Sequence, residues 1–296
     1  MVGPRCRPIS QDAPPPPNLQ AVPTPPDFPR GRISGYVFGD WYDNLAGDPR
    51  HAYNASGADS GQANIDGKKV ITKGLSGFQI RRLYFQLDND LTVRVASRFR
   101  LEADGKSLNS DGKLGVFVKA AYLQLKSVYP RADLYFGIVP TPTYETIDDV
   151  GGYRAIEKSI ADFRGLAPSA DMGLALKGFL DADHVVGYTA MLANGPGTKP
   201  ETNLQKRAYF SLPVRWRDLR VEPYVDYENV YGHQDIATYQ FLTAYDVWKG
   251  NVGYALCQQV KHHPNTPSND AFGHSFFARV APIPQLGGFV RLDLWQ

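Results

Sequence analysis

Cysteine is nearly missing from this chain: two among 296 residues, Cys6 and Cys257, far apart in sequence. That excludes a disulfide framework and a cysteine-rich metal site. No run of about 18 apolar residues exists, and mean hydropathy is −0.35, so a helix that crosses a bilayer is excluded. Neither sign of charge dominates, with 32 Lys and Arg against 30 Asp and Glu. A nucleic-acid partner, which would call for Lys and Arg concentrated on one face, is therefore not expected. A secretion signal is also missing. Residues 1–30 are Pro-rich and weakly basic, with Pro14 to Pro17 consecutive and no apolar central stretch. They read as a disordered periplasmic tail whose true signal lies upstream of the start.

Aromatics are plentiful, with 17 Tyr and 15 Phe alongside 28 Gly, and they run evenly from Tyr36 to Trp295, as strands favour. From residue 31 the pattern has period two. In 33–41, Ile33, Val37 and Trp41 share one face, and Ser34, Tyr36 and Asp40 the other. In 92–102, Val93, Val95, Phe99 and Leu101 oppose Arg94, Arg98, Arg100 and Glu102. Residues 219–228 and 290–294 repeat the alternation. Four charges on one face and aliphatics on the other require water on one side and something apolar on the other. About 13 such segments are predicted, near the 9–11 residues that cross a bilayer at a tilt: 32–43, 77–88, 91–102, 114–126, 132–140, 170–180, 184–194, 205–214, 218–230, 237–248, 251–262, 271–281 and 287–295.

The connections carry the strongest signal. Those after even-numbered strands are tight and rich in turn residues, such as Asn89-Asp90 and Lys249-Gly250. Those after odd-numbered strands are long: 44–76, 103–113, 141–169, 195–204 and 263–270. Outer-membrane barrels sort their connections in this way, short on the periplasmic side and long outside. The expected fold is thus all-β, an antiparallel transmembrane barrel over residues 31–296. Trp41, Tyr42, Tyr129, Tyr135, Trp216, Tyr231, Trp248 and Trp295 are expected as an outward aromatic belt. A soluble or surface-attached β-sandwich that binds a ligand also alternates in period two and stays open as an alternative; so does an outer-membrane enzyme or adhesin.

In a barrel the lumen carries function. Arg82, Arg94, Arg98, Arg100, Glu102, Lys177, Arg207, Arg220, Glu222, Asp226, Arg279 and Arg291 share the inward phase and are expected to line the pore. Arginines there attract anions through forked hydrogen bonds. Acidic neighbours, among them Asp40, Asp88, Glu228, Asp246 and Asp293, leave the wall nearly neutral. The connection at 141–169 carries Glu145, Asp148, Asp149, Arg154, Glu157, Lys158, Asp162 and Arg164. It reads either as a constriction loop folded into the lumen or as an external loop with a surface helix at 155–164. No catalytic cluster, metal site or cofactor is expected: His184, His233, His262, His263 and His274 stand at strand ends or loops without a nucleophile or ligand set beside them.

Three stretches resemble the phosphate-selective porin (O and P type) family: Gly77-Phe78-Gln79-Ile80-Arg81-Arg82-Leu83, Phe136-Gly137-Ile138-Val139-Pro140-Thr141-Pro142 and Glu157-Lys158-Ser159-Ile160-Ala161-Asp162. The resemblance runs from about Gly31 to the end of the chain. It implies a 16-stranded porin barrel in the lipid of a bacterial outer membrane, a homotrimer when full length, passing small solutes with anions or phosphate preferred. Against that pattern about three strands are expected beyond Gln296, and the chain as given is not expected to make a working pore by itself.

Overall fold

The computed structural model describes residues 27–43, 45, 76–105, 107–152, 154, 158–232, 234–263, 266–283 and 286–296. The first strands are β1 (Arg30–Asp43), β2 (Ser76–Asp90), β3 (Val95–Asp104), β4 (Phe117–Tyr129) and β5 (Ala132–Pro140). Two helices follow, α1 (Pro142–Gly151) and α2 (Ile160–Phe163). Then come β6 (Ala170–Phe179), β7 (Gly187–Ala193), β8 (Arg207–Ser211), β9 (Val214–Trp216) and β10 (Leu219–Glu228). The chain finishes with β11 (Ile236–Val247), β12 (Gly250–His263), β13 (Thr266–Ile283) and β14 (Leu286–Trp295).

All the strands belong to one antiparallel sheet in which sequence neighbours are spatial neighbours. β8 and β9 occupy a single place in it, both pairing with β10. The break at Leu212-Pro213 follows from proline's missing N–H. Thirteen places therefore hold fourteen strands. The sandwich alternative fails on this point, since its two facing sheets would divide the strand order. The sheet is open among the described residues: β1 pairs only with β2, and β14 only with β13.

Antiparallel register puts directly opposed residues on the same face. On one face the opposed pairs are apolar: Leu87 with Phe99, Leu123 with Phe136, Leu174 with Leu192, Phe241 with Leu256 and Phe276 with Leu292. These side chains are largely exposed, Leu192 at 57% and Leu292 at 58%. A soluble sheet would bury such a face. On the other face the opposed pairs are polar, as with Asp88 and Arg98, Asp133 and Lys177, and Arg207 and Glu228. The segment 141–169 lies on that face, called inner below. It reaches inner residues from β4 to β14, so the sheet curls around it.

The structure revises the sequence reading at several connections. β3 begins at Val95, and Arg94 sits in the preceding turn, where Thr92 Oγ1 accepts the backbone N–H groups of Arg94 and Val95. Asn89 and Asp90 still belong to β2. The expected long connection at 263–270 is instead paired strand, with Lys261 opposite Asn269 and His263 opposite Thr266. Tyr135 and Trp295 leave the expected outward belt. Tyr135 faces inward against Tyr122, and the indole of Trp295 lies beneath Arg164. Trp41, Trp216 and Trp248 are exposed. The connection at 44–75, apart from Leu45, and most of the Pro-rich segment lie outside the described residues.

Leu174, opposite Phe136 and Leu192 on the outer face, tests the assignment. Leu174→Arg is expected to lower stability in lipid vesicles by about 2–4 kcal/mol, measured by denaturant titration. An unchanged midpoint would mean that this face does not meet hydrocarbon.

Candidate functional site

The inner face is organised by the segment 141–169. Pro142 opens α1 with its φ already helical and no N–H to satisfy, and Glu145 lies in the first turn, where the helix dipole favours an acid. Gly152 ends the helix at φ +69 in the left-handed region. It is this positive φ that favours glycine; a Cβ there would also meet the end of the Arg279 side chain, 1.9 Å from an Nη atom, which would have to swing aside.

One side of α1 is apolar and buried. Val150 packs with Leu242, Ala244, Ala255 and Phe277 of β11, β12 and β13. Tyr144 packs with Ile160, Ala161, Leu166 and Cys257. Its hydroxyl donates to Ala167 O at 2.7 Å and accepts from Ala167 N at 3.2 Å. Burial in this pocket raises the Tyr144 phenol above its ordinary value. Of the surface helix expected at 155–164, the described residues hold α2, four residues long; the longer helix forms earlier, where proline starts it and glycine stops it.

Polar ties bind the segment to the wall on nearly every side. Lys177 of β6 bonds both Glu145 oxygens at 2.7 Å. The hydroxyls of Thr143 and Tyr224 of β10 are 2.7 Å apart, and Arg220 reaches Asp149 at 3.2 Å. Asn251 of β12 donates to Val150 O at 2.9 Å. Arg291 of β14 donates to Lys158 O at 2.7 Å, Arg207 of β8 to Leu166 O at 3.2 Å, and Lys119 of β4 to Ser169 at 2.8 Å. Within the segment, Arg154 pairs with Asp148 and, at 3.0 Å, with Asp162. Desolvation pushes the Asp148 carboxyl up to about 6, with Arg154 pulling down, Asp162 pushing up and Arg82 pulling down. Arg82 belongs to β2, so charges from near the first edge of the sheet act on α1.

The sequence-predicted wall residues fall into three environments. Arg98 and Arg100 stand on the inner face of β3; Arg98 Nε donates to Asp88 and Arg100 Nε to Gln86, both at 2.6 Å. Arg82, Glu102, Arg207, Glu222 and Asp226 also face inward but are buried. Arg207 bonds Asp226 at 2.6 Å beneath the segment. Lys177, Arg220, Arg279 and Arg291 face the segment or its edge. Glu157 lies outside the described residues. Arg164 stacks over Phe163 and Trp295.

Several inner residues, two of them charged, lie outside the predicted wall set. Asp171 accepts from Tyr209 at 2.7 Å, Thr238 Oγ1 accepts from Gln259 at 2.9 Å, and Lys119 pairs with Glu102 at 2.9 Å. Inward phase marks Tyr209, Thr238 and Gln259. Lys119 is the extra residue of a bulge, which no alternation reveals.

Asp148 gives a pH test. A carboxyl whose folded pKa is raised holds its proton more tightly when folded, so its contribution favours the packed segment at low pH. That contribution is lost as pH rises from about 4 to about 6. Amide protection of α1, corrected for intrinsic exchange rates, is expected to be greater at the acid end of this window, and Asp148→Asn to flatten the dependence. A slope that survives in the variant would assign it to another group.

No family model matches the chain, and no curated protein matches it by sequence. Solved structures do match over most of its length. An anion-selective porin from Comamonas acidovorans is 12% identical with a TM-score of 0.60, over 90% of this chain and 79% of that one. Outer-membrane expressed OmpT of Vibrio cholerae is 12% identical with a TM-score of 0.56, over 89% and 75%. Its loop L8 deletion mutant is 14% identical with a TM-score of 0.51, over 89% and 81%. At such identities the likeness is one of fold: the chain has the antiparallel β architecture of outer-membrane porins.

Proposed function

We propose that this chain forms the wall of a water-filled channel in a bacterial outer membrane, through which small solutes diffuse passively, and that it is not an enzyme. The observation that carries this reading is the division of one continuous sheet into an apolar, exposed outer face and a charged inner face with a folded segment against it. Hydrocarbon outside and water inside are the two solvents these faces fit. In this role 141–169 narrows the path, since it occupies the inner side and is tied to the wall from β4 to β14. The sequence resemblance to phosphate-selective porins and the fold shared with an anion-selective porin favour anions as the preferred solutes. The preference is modest, because Asp88 pairs with Arg98 and Asp226 with Arg207.

Vesicles carrying the protein are expected to swell in small sugars or amino acids but not in a large polymer, an outcome that sets aside the expectation, drawn from strand count alone, that these 296 residues make no working pore. Absence of swelling while the strands are fully inserted, by polarised infrared absorption, would overturn the channel reading. Arg98→Ser combined with Arg100→Ser is expected to shift the reversal potential in a salt gradient toward cations. An unchanged potential would mean that Asp88 and its neighbours already cancel these arginines.

A further inference from the structure

Residues from four neighbouring strands form a row across the inner wall and end at the helix. Arg98 of β3 is pinned through Nε to Asp88, and its guanidinium lies over the ring of Tyr122, 5.9 Å from the centroid. Tyr122 of β4 meets Tyr135 of β5 edge-on, with centroids 5.5 Å apart and planes at 70°. Lys177 of β6 stands 5.6 Å from the Tyr135 centroid and pairs with Glu145 of α1 at 2.7 Å. Opposite Tyr122 is Gly137, so no side chain stands between the two rings. Both tyrosines are half-buried, leaving part of each ring open to the inner side.

The row has a polarity. Among the described residues, the hydrogen bond of Arg98 runs from Nε alone, so both Nη groups keep donors in the fork that fits a carboxylate. Asp88 is shared between Arg98 and Arg32, the latter at 3.4 Å, and Arg100 bonds the neutral Gln86, so this end keeps net positive charge, whereas at the other end Lys177 and Glu145 cancel one for one. The rings between them offer edges and faces at aromatic stacking distance. A small inorganic anion would use only the Arg98 end and leave the tyrosines idle. A ligand that uses the whole row carries a carboxylate and, directly attached, a flat aromatic ring.

Building on the channel reading, we infer that the row formed by Arg98, Tyr122 and Tyr135 is a binding site for aromatic carboxylates of benzoate size, carboxylate on Arg98 and ring against the tyrosines. The site makes such acids preferred solutes over aliphatic acids of equal charge.

Ligand-observed saturation-transfer NMR on the complete, detergent-refolded chain tests this without requiring conduction. Benzoate is compared with cyclohexanecarboxylate, which has the same charge and nearly the same size but no aromatic face. Benzoate is expected to bind about threefold to tenfold more tightly. Tyr122→Leu with Tyr135→Leu is expected to remove that margin, and Arg98→Gln to weaken both acids. Equal binding of the two acids by the unaltered protein, which needs no variant to fold, overturns the site; so does a margin that survives in folded tyrosine variants. A benzoate margin without vesicle swelling would retain the site and count against the channel. Swelling without a margin would do the reverse.

Discussion

A sheet that presents apolar side chains outward can stand in hydrocarbon only if every backbone N–H and C=O finds a partner inside the chain. In the membrane role proposed above, the rest of this molecule depends on that constraint. It forces neighbouring strands into unbroken antiparallel ladders, and the period of two then delivers one solvent to each face. Where a ladder fails, at Pro213, the chain resumes pairing within one residue as β9. The outer face needs little specificity beyond being apolar. The inner face must satisfy polar groups one by one, and there the pairings are particular.

The most buried of those pairings is an ion network. Arg207, with 5% of its side chain exposed, bonds Asp226, lies 3.7 Å from Glu228 and donates to Leu166 O. Burying three charges is expensive unless all are paired, and removing one partner from such a set typically costs about 3–5 kcal/mol. The network therefore fixes where the segment sits more than it adds to total stability. Around α1 the ties are of another kind: Asp149, its side chain 78% exposed, meets Arg220, and exposed pairs of this type contribute about 0–1 kcal/mol. One end of the segment is thus held by buried chemistry, whereas Glu145 and Asp149 of α1 are held by pairs that salt weakens.

The sheet was legible in the sequence because strand faces are encoded locally. Val95, Phe99 and Leu101 against Arg98, Arg100 and Glu102 fix the facing of β3 without knowledge of its neighbours. The turn residues Lys249-Gly250 located the hairpin between β11 and β12 to within a residue. The course of 141–169 was not legible, because its anchors are distant in sequence: Asn251 meets Val150 across 101 positions, and Arg291 meets Lys158 across 133. Charge counting found Arg207 and Asp226 but not Tyr209, Tyr224 or Asn251, which are uncharged and carry the same inward phase. A place near a strand end points Tyr135 outward, but its parity with Asp133, opposite Lys177, is the better guide.

The pairing of β12 with β13 continues past the apolar zone. Outward positions of β13 run Val280, Ala278, Phe276, His274 and Phe272, after which residues 266–271 read Thr, Pro, Ser, Asn, Asp, Ala. At about 3.3 Å per residue these six residues add roughly 20 Å of paired ribbon on the side of the long connections. In mechanical terms the hairpin is a cantilever rooted in the wall. Its tip, near His263 and Thr266, lies beyond the outward apolar side chains, so that anything meeting the sheet from that side touches paired backbone before it touches the inner face.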